Sequence, residues 1–244
     1  MLTTFIFLSL VISRQINQPL RKVSSWVQKI AKGDSANCEI INTSFEFNNL
    51  SQSVITLNKR QLQYKEYQEQ QLWLEHSISG LYKEMNGIMN LGELCCKVTG
   101  YLARLINSPA AAMYLVDKNY TLSLKGQYGC SSKGDYLEIL QHDDGSLLIE
   151  AVKHKESIEI SELPGNFFRI ESAHLDKKPD TVYIIPFCYG ARVKGLLAFA
   201  CLTKPEKKYK QLLANTASPL ANAIHSLELA ISGNISAIDL TNIS

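Results

Sequence analysis

The residue types able to do chemistry are few and scattered. His142 stands beside Asp143 and Asp144, a trio that in isolation would suggest an acid–base pair or a divalent-ion contact. Adjacent side chains in a polar loop seldom converge on one point, so a solvated turn is the plainer reading. Arg169, in a loop, carries the planar fork that holds an anion bidentately, although an exposed loop arginine is equally ordinary. The six cysteines, at 38, 95, 96, 130, 188 and 201, follow no recurring spacing. With neither a CxxC pair nor a His/Cys cluster, no zinc site is expected. Cys188 and Cys201 fall in apolar, strand-like runs and read as buried small hydrophobes, in keeping with a reducing cytoplasm. A nucleophile elbow, an HExxH pair and a Walker loop are all missing, and the Gly190 to Gly195 spacing belongs to a hairpin rather than to a phosphate cradle. No catalytic residue, metal or cofactor is therefore assigned, and the expectation is a binding chain rather than an enzyme.

Bulk composition narrows the partners. In 244 residues, 45% are apolar and 20% charged, the balance of a globular protein long enough for one domain plus helical material. The 25 basic and 23 acidic residues leave a net charge of +2, which argues against a polyanionic partner such as nucleic acid. Lys204, Lys207, Lys208 and Lys210 cluster, but as the solvated start of a helix.

The chain opens on an uncharged apolar run, residues 1–12, followed by Arg14, Arg21, Lys22, Lys29 and Lys32. As a helix, twelve residues rise only about 18 Å against the roughly 30 Å of a bilayer core. With the basic flank on its C-terminal side, the run is expected to be the cytoplasmic end of a transmembrane helix. A short membrane-surface anchor and an apolar start packed on its own domain are the other readings.

Apolar residues then recur at Ile16, Leu20, Val23, Val27 and Ile30, spaced for one stripe of a helix over 15–31. Pro19 fits its first turn, Gly33 ends it, and 37–43 is a connector. A second pattern starts near Phe45 and puts Leu50, Val54 and Leu57 on one face. Two such short helices cannot bury their stripes alone and imply a parallel dimeric bundle. The second helix then continues. One seam runs through Gln61, Tyr64, Gln68 and Gln71, and another from Leu74 through Ile78, Leu81, Met85 and Ile88, offset by a three-residue stammer that would overwind a coiled coil. This reads either as a dimeric signalling helix or as a helix packed on the globular domain.

Residues 13–60 resemble the HAMP linker of bacterial receptors. The resemblance rests on Ile16, Asn17, Gln18, Pro19 and Leu20, on Ile30 to Asp34 around Gly33, and on Glu46, Phe47, Asn48, Asn49 and Leu50. Pro19, Gly33, Glu46 and Leu50 are its signature positions. It implies passage of a membrane-borne conformational change to cytoplasmic domains. His76 is no counterpart of a kinase phosphoacceptor, because the Arg-Thr-Pro continuation is missing and no ATP-binding domain follows.

Beyond this lies a helix over 91–106, then a change to period two. Residues 111–116 and 122–127 form a hairpin about the turn 117–119. A short helix follows at 147–153, introduced by Asp144 or Ser146 as N-cap. A brief strand at 157–160, a hairpin of 182–187 with 193–201, and a long helix over 205–229 complete the order, with a polar tail at 230–244. The fold class is α+β, a twisted antiparallel sheet with helices packed on one side. Residues 91–229 are similar to a GAF sensory domain, most of all those following HAMP linkers in sensor histidine kinases of the hybrid type. The carrying residues are Ala112 to Val116, Leu163 to Ser172, Pro179, Ile185 to Phe187, and Gly190 to Leu196. The resemblance implies a pocket over the free sheet face, with Tyr114, His142, Phe168, Arg169, Tyr183 and Cys188 as candidate lining; core packing is the competing reading for the three aromatics and for Cys188. The chain lacks the Asn-Lys-Phe-Asp-Glu motif of cyclic-nucleotide-binding members and the cysteine–histidine arrangement of bilin-binding ones, so the ligand is unassigned.

The domain reading is thus 1–12 membrane helix end, 13–60 HAMP-like linker, 61–90 signalling coiled coil, 91–229 GAF-like domain and 230–244 tail. The expected function is a non-catalytic sensory and relay module of two-component signal transduction, a parallel homodimer at the inner membrane with residues 13–244 on the cytoplasmic side. An unidentified small ligand is allowed and nucleic acid is not. Two alternatives stand beside it: a ligand-free dimerisation and relay segment, and a regulatory fragment of a kinase or cyclase-type enzyme.

Overall fold

The computed structural model describes residues 6–7, 13–33, 37–129, 147–161, 170–172, 175–177 and 179–241. The chain divides into two compact units, Met1–Leu72 and Trp73–Ser244. No helix among the described residues is long and apolar enough to cross a membrane. Of the apolar start only Ile6 and Phe7 are described, both helical and exposed.

In the first unit a π-helical turn, Ser13–Asn17, leads into α1, Gln18–Ala31. Pro19 sits in the first turn of α1, where its missing N–H leaves no bond unmade. Gly33 ends the helix with φ +82, a left-handed conformation that costs glycine nothing. A second helix, α2, spans Phe45–Met85. At its start the Phe47 N–H donates to Ser44 Oγ at 3.4 Å, and Glu46 lies in the first turn. Hydrogen bonds from its own backbone N–H and from Ser44 hold the Glu46 carboxyl below the usual range. Val23 and Ile30 of α1 are buried with Val54 of α2, flanked by Trp26, Cys38 and Ile41. The Gln61 side chain donates to the Ile30 carbonyl at 3.0 Å, satisfying one of the free acceptors at the end of α1.

The second unit is built on a five-stranded, wholly antiparallel sheet in the order β2-β1-β7-β6-β3. Its strands are β1 (Ala110–Val116), β2 (Leu122–Tyr128), β3 (Ile158–Ser161), β6 (Thr181–Tyr189) and β7 (Arg192–Cys201). A separate hairpin pairs β4 (Ile170–Ser172) with β5 (Leu175–Lys177), giving two short strands to the segment expected to be irregular. The α+β expectation holds. β1 is buried along its whole length because both of its faces are covered. Ala111, Met113 and Leu115 pack with the C-terminal turns of α2, with α3 (Leu91–Leu105) and with α5 (Lys207–Thr241). Ala110, Ala112, Tyr114 and Val116 face the other way, onto α4 (Leu147–His154). The second face is therefore not free, as the sequence had suggested. Leu148, Ala151 and Val152 of α4 cover it, following the spacing of one helical stripe.

The second seam follows one of its two readings, a helix packed on the globular domain, whereas the end of the chain differs from expectation. Leu74, Leu81 and Ile88, the second of the two predicted seams, are buried in the sheet's own core beside Leu94, Val98 and Leu220. Complete burial of Leu81 is worth about 1.5–3 kcal/mol, which fixes this helix face on the domain. At the other end α5 runs on to Thr241 instead of giving way to a tail near 230. Nothing there stops it, since no proline follows Pro219 and Gly233 does not take a positive φ.

Candidate functional site

Three chain reversals converge at one end of the sheet and enclose a cavity of about 480 Å³. The first joins β1 to β2. Asp117 Oδ1 accepts the backbone N–H groups of Asn119 at 2.7 Å and Thr121 at 2.8 Å, which closes the turn and leaves Tyr120 in a left-handed conformation at φ +60. Tyr120 is 71% exposed and lines the cavity. The second reversal is the end of α4. Lys155 stops that helix with φ +57, its N–H bonding the Ala151 carbonyl at 2.9 Å, a position at which glycine is the usual residue. The third is the β6–β7 hairpin, in which Gly190 takes φ +58 and Tyr189 pairs with Arg192. The Lys155 ammonium reaches across to donate to the Ala191 carbonyl at 2.7 Å and so ties the second reversal to the third.

The floor of the cavity is apolar. Val116, Val152 and Val193 are buried there and belong to the core between the sheet and α4. Its rim is cationic, with Lys118, Lys153, Lys155 and Arg192 set against the single carboxylate of Asp117. That carboxylate already neutralises two backbone dipoles in its own turn.

Of the six residues expected from sequence to line a pocket, none of those described lines this cavity. Tyr114 is fully buried on the α4 side of the sheet, and Cys188 is partly buried on that same side. Burial pushes the Cys188 thiol up, while the charge of Lys155 acts the other way. Tyr183 lies on the opposite face, packed against the core under α5, with the Lys210 ammonium 5.7 Å from its ring centre. Two of these residues thus share a face and the third does not. His142, Phe168 and Arg169 lie outside the described residues. Among the HAMP-like positions, Pro19 is buried, Gly33 and Glu46 occupy a helix end and a helix start, and Leu50 is exposed.

Lys118, Tyr120, Lys153, Lys155 and Arg192 were not candidate site residues in the sequence, where Lys118 and Arg192 figured only as turn and hairpin residues. Each looks there like an ordinary turn or helix-end residue. Only the pairing of β1 with β7 and β7 with β6 brings the three reversals together. A lysine where a helix-terminating glycine belongs was the one local signal.

A five-stranded antiparallel sheet with α3 and α5 on one face and α4 on the other defines the GAF fold. Solved GAF domains share it at low identity. That of a phosphoenolpyruvate-protein phosphotransferase from Coxiella burnetii matches with a TM-score of 0.53 at 16% identity, covering 66% of this chain and 98% of its own. The GAF domain of a protein assigned as a sensor histidine kinase from Pseudomonas syringae pv. tomato matches with a TM-score of 0.51 at 14% identity, covering 71% of this chain and 98% of its own. The GAF domain of an Acinetobacter phosphoenolpyruvate-protein phosphotransferase gives 0.50 at 14%, covering 65% and 97%. No protein-family model matches the chain, and no curated relative does.

Proposed function

We propose that this chain is a non-catalytic sensory and relay module of two-component signal transduction. Residues 13–60 act as a HAMP-like linker, and the GAF fold behind them takes up a small ligand. The module works as a parallel homodimer at the inner membrane, with residues 13–244 on the cytoplasmic side, and passes a membrane-borne or small-ligand signal to an output domain. The observation that carries this reading is the apolar surface left over in the first unit. Val23, Ile30 and Val54 satisfy one another, yet Ile16 of the π-helical turn and Leu20 and Val27 of α1 stay 48%, 51% and 43% exposed, and Leu50 and Leu57 of α2 stay 41% and 54% exposed. An amphipathic helix gains most of its stability from burying its apolar face, so the exposed stripes call for a second copy. The cavity with convergent cationic groups favours a binding-competent domain over a ligand-free relay.

Sedimentation equilibrium on the full chain tests the reading. A dimer that dissociates when Leu50 and Leu57 are both replaced by Asp is expected. A wild-type chain that stays monomeric at every concentration sinks it.

A further inference from the structure

We propose that the cavity at the sheet end binds a small organic anion: an apolar or aromatic body bearing a carboxylate or phosphate, gripped by Lys118, Lys153 and Arg192. As the signal for the module, this ligand rests on the sensory reading above; as a binding site, it stands on the geometry alone.

Charge is the first argument. Five other lysines of the sheet unit have carboxylate partners, in the pairs Lys97–Glu93, Lys194–Glu228, Lys204–Glu159, Lys208–Glu206 and Lys210–Glu159. Lys118, Lys153 and Arg192 have no carboxylate partner among the described residues. Three cations without a carboxylate partner among the described residues repel each other around one concavity, and low-dielectric walls concentrate their field on whatever enters. The usual explanation, that cations gather at helix C-termini to complement the dipole, applies to Lys153 and Lys155 at the end of α4. It does not apply to Lys118 or Arg192, which come from two other reversals.

Strain is the second argument. Among the described residues three non-glycine residues have positive φ, namely Asn107, Tyr120 and Lys155, and two of these line this cavity. Each left-handed residue costs about 1–2 kcal/mol. The conformation at 155 places an ammonium on the rim, and that at 120 places an aromatic residue in the lining. A glycine at either position would relieve the strain and remove the group.

Size and lining set the ligand class. A cavity of about 480 Å³ falls in the range of small-molecule sites. An inorganic anion would satisfy the rim and leave the Val116, Val152 and Val193 floor in water. An anion with an apolar body covers both, and the Tyr120 ring offers it a stacking face.

The test is titration of the isotope-labelled full chain, followed by amide chemical shifts, with phenyl phosphate, inorganic phosphate and benzyl alcohol as separate probes. Saturable binding of phenyl phosphate, weaker binding of inorganic phosphate and none of the alcohol are expected. Arg192→Ala and Lys153→Ala should each weaken phenyl phosphate binding by about tenfold or more, a loss of about 1.4 kcal/mol. Lys65→Ala, an exposed change in the first unit, should leave it unaltered. All three side chains are exposed or on the rim, so these variants keep the fold, checked by circular dichroism. Saturation by neither anion overturns the proposal, as does equal affinity in the Arg192→Ala protein. Arg192-dependent binding to phosphatidylglycerol vesicles without phenyl phosphate binding also overturns it, in favour of a membrane surface. Any of these failures leaves the dimer measured by sedimentation untouched.

Discussion

The Tyr101 hydroxyl of α3 donates to the Ser77 carbonyl of α2 at 2.8 Å, and it can do so because residue 80 is glycine. A Cβ on Gly80 would lie 2.0 Å from that oxygen and 2.8 Å from the ring carbon bearing it. The notch lets α3 close onto the turns of α2 that carry Leu74 and Leu81 into the core.

Gly80→Ala is therefore expected to destabilise the sheet unit by about 1–3 kcal/mol, the usual cost of overpacking, although alanine favours helix by up to about 1 kcal/mol. Tyr101→Phe should cost about 0.5–1.5 kcal/mol, the net value of one hydrogen bond. In the Tyr101→Phe background the alanine should cost less than in the wild type, because the shortest contact is gone. Urea denaturation of the four proteins measures this coupling, and strict additivity would show that the notch does not matter.

Lys194 is the extra residue of a β-bulge, opposite the Phe187–Cys188 step. Its side chain is 8% exposed and its ammonium lies 2.5 Å from Glu228 Oε2 on α5, whose own side chain is 38% exposed. Glu228→Ala strands a buried ammonium. With water able to reach the site, the expected loss is about 1–2 kcal/mol rather than the 3–5 of a fully buried pair. Lys194→Met, which removes the charge and keeps the volume, should be close to neutral. Equal losses in the two variants would mean that the ion pair itself, rather than an uncompensated charge, sets the stability.

Glu159 on β3 accepts from Lys210 and is ion-paired with Lys204 at 3.2 Å, and the bond from Lys210 is the main cause holding its carboxyl below the usual range. A carboxyl depressed in the folded state stabilises above its unfolded pKa of about 4.3, and that stability is lost as pH falls through the lower folded value. The acid limb of the stability curve below about pH 5 should accordingly be steeper in wild type than in Glu159→Gln. Urea midpoints against pH measure it, and superimposable limbs would remove Glu159 from the account.

Cys95 and Cys96 are neighbours with opposite surroundings. Burial pushes the Cys95 thiol up to about 12, whereas Cys96, the next residue along α3, is exposed. With its thiol raised by burial, Cys95 stays protonated at pH 8 and holds too little thiolate for ready alkylation. Iodoacetamide followed by tandem mass spectrometry should find label on Cys96 and none on Cys95 or on Cys201, another thiol raised by burial. Labelling of Cys95 at the rate of Cys96 would mean that α3 leaves the sheet on the timescale of the reaction.

Local pattern carried much of the architecture. The apolar run of β1 reads as a strand, though not as one covered on both faces, and the spacing of Leu94, Val98 and Leu102 reads as the inner stripe of α3. Gly33 and Gly190 announce their turns because only glycine takes a positive φ freely. The same spacing logic was silent on what each stripe meets. The seam from Leu74 to Ile88 suits a coiled coil as well as a sheet, and the core of the second unit takes it. Tyr114 and Tyr183 look alike in their strands yet face opposite sides.

The sequence by itself determined the order of elements, the antiparallel hairpins and the apolar stripes of α1 and α2, since these follow from periodicities of two and 3.6 and from glycine and proline chemistry within a few residues. Tertiary structure alone decided that α4 covers the second face, and that Lys118, Lys153, Lys155 and Arg192 surround one cavity. These four residues are separated by as many as 74 positions, and only long-range strand pairing brings them together.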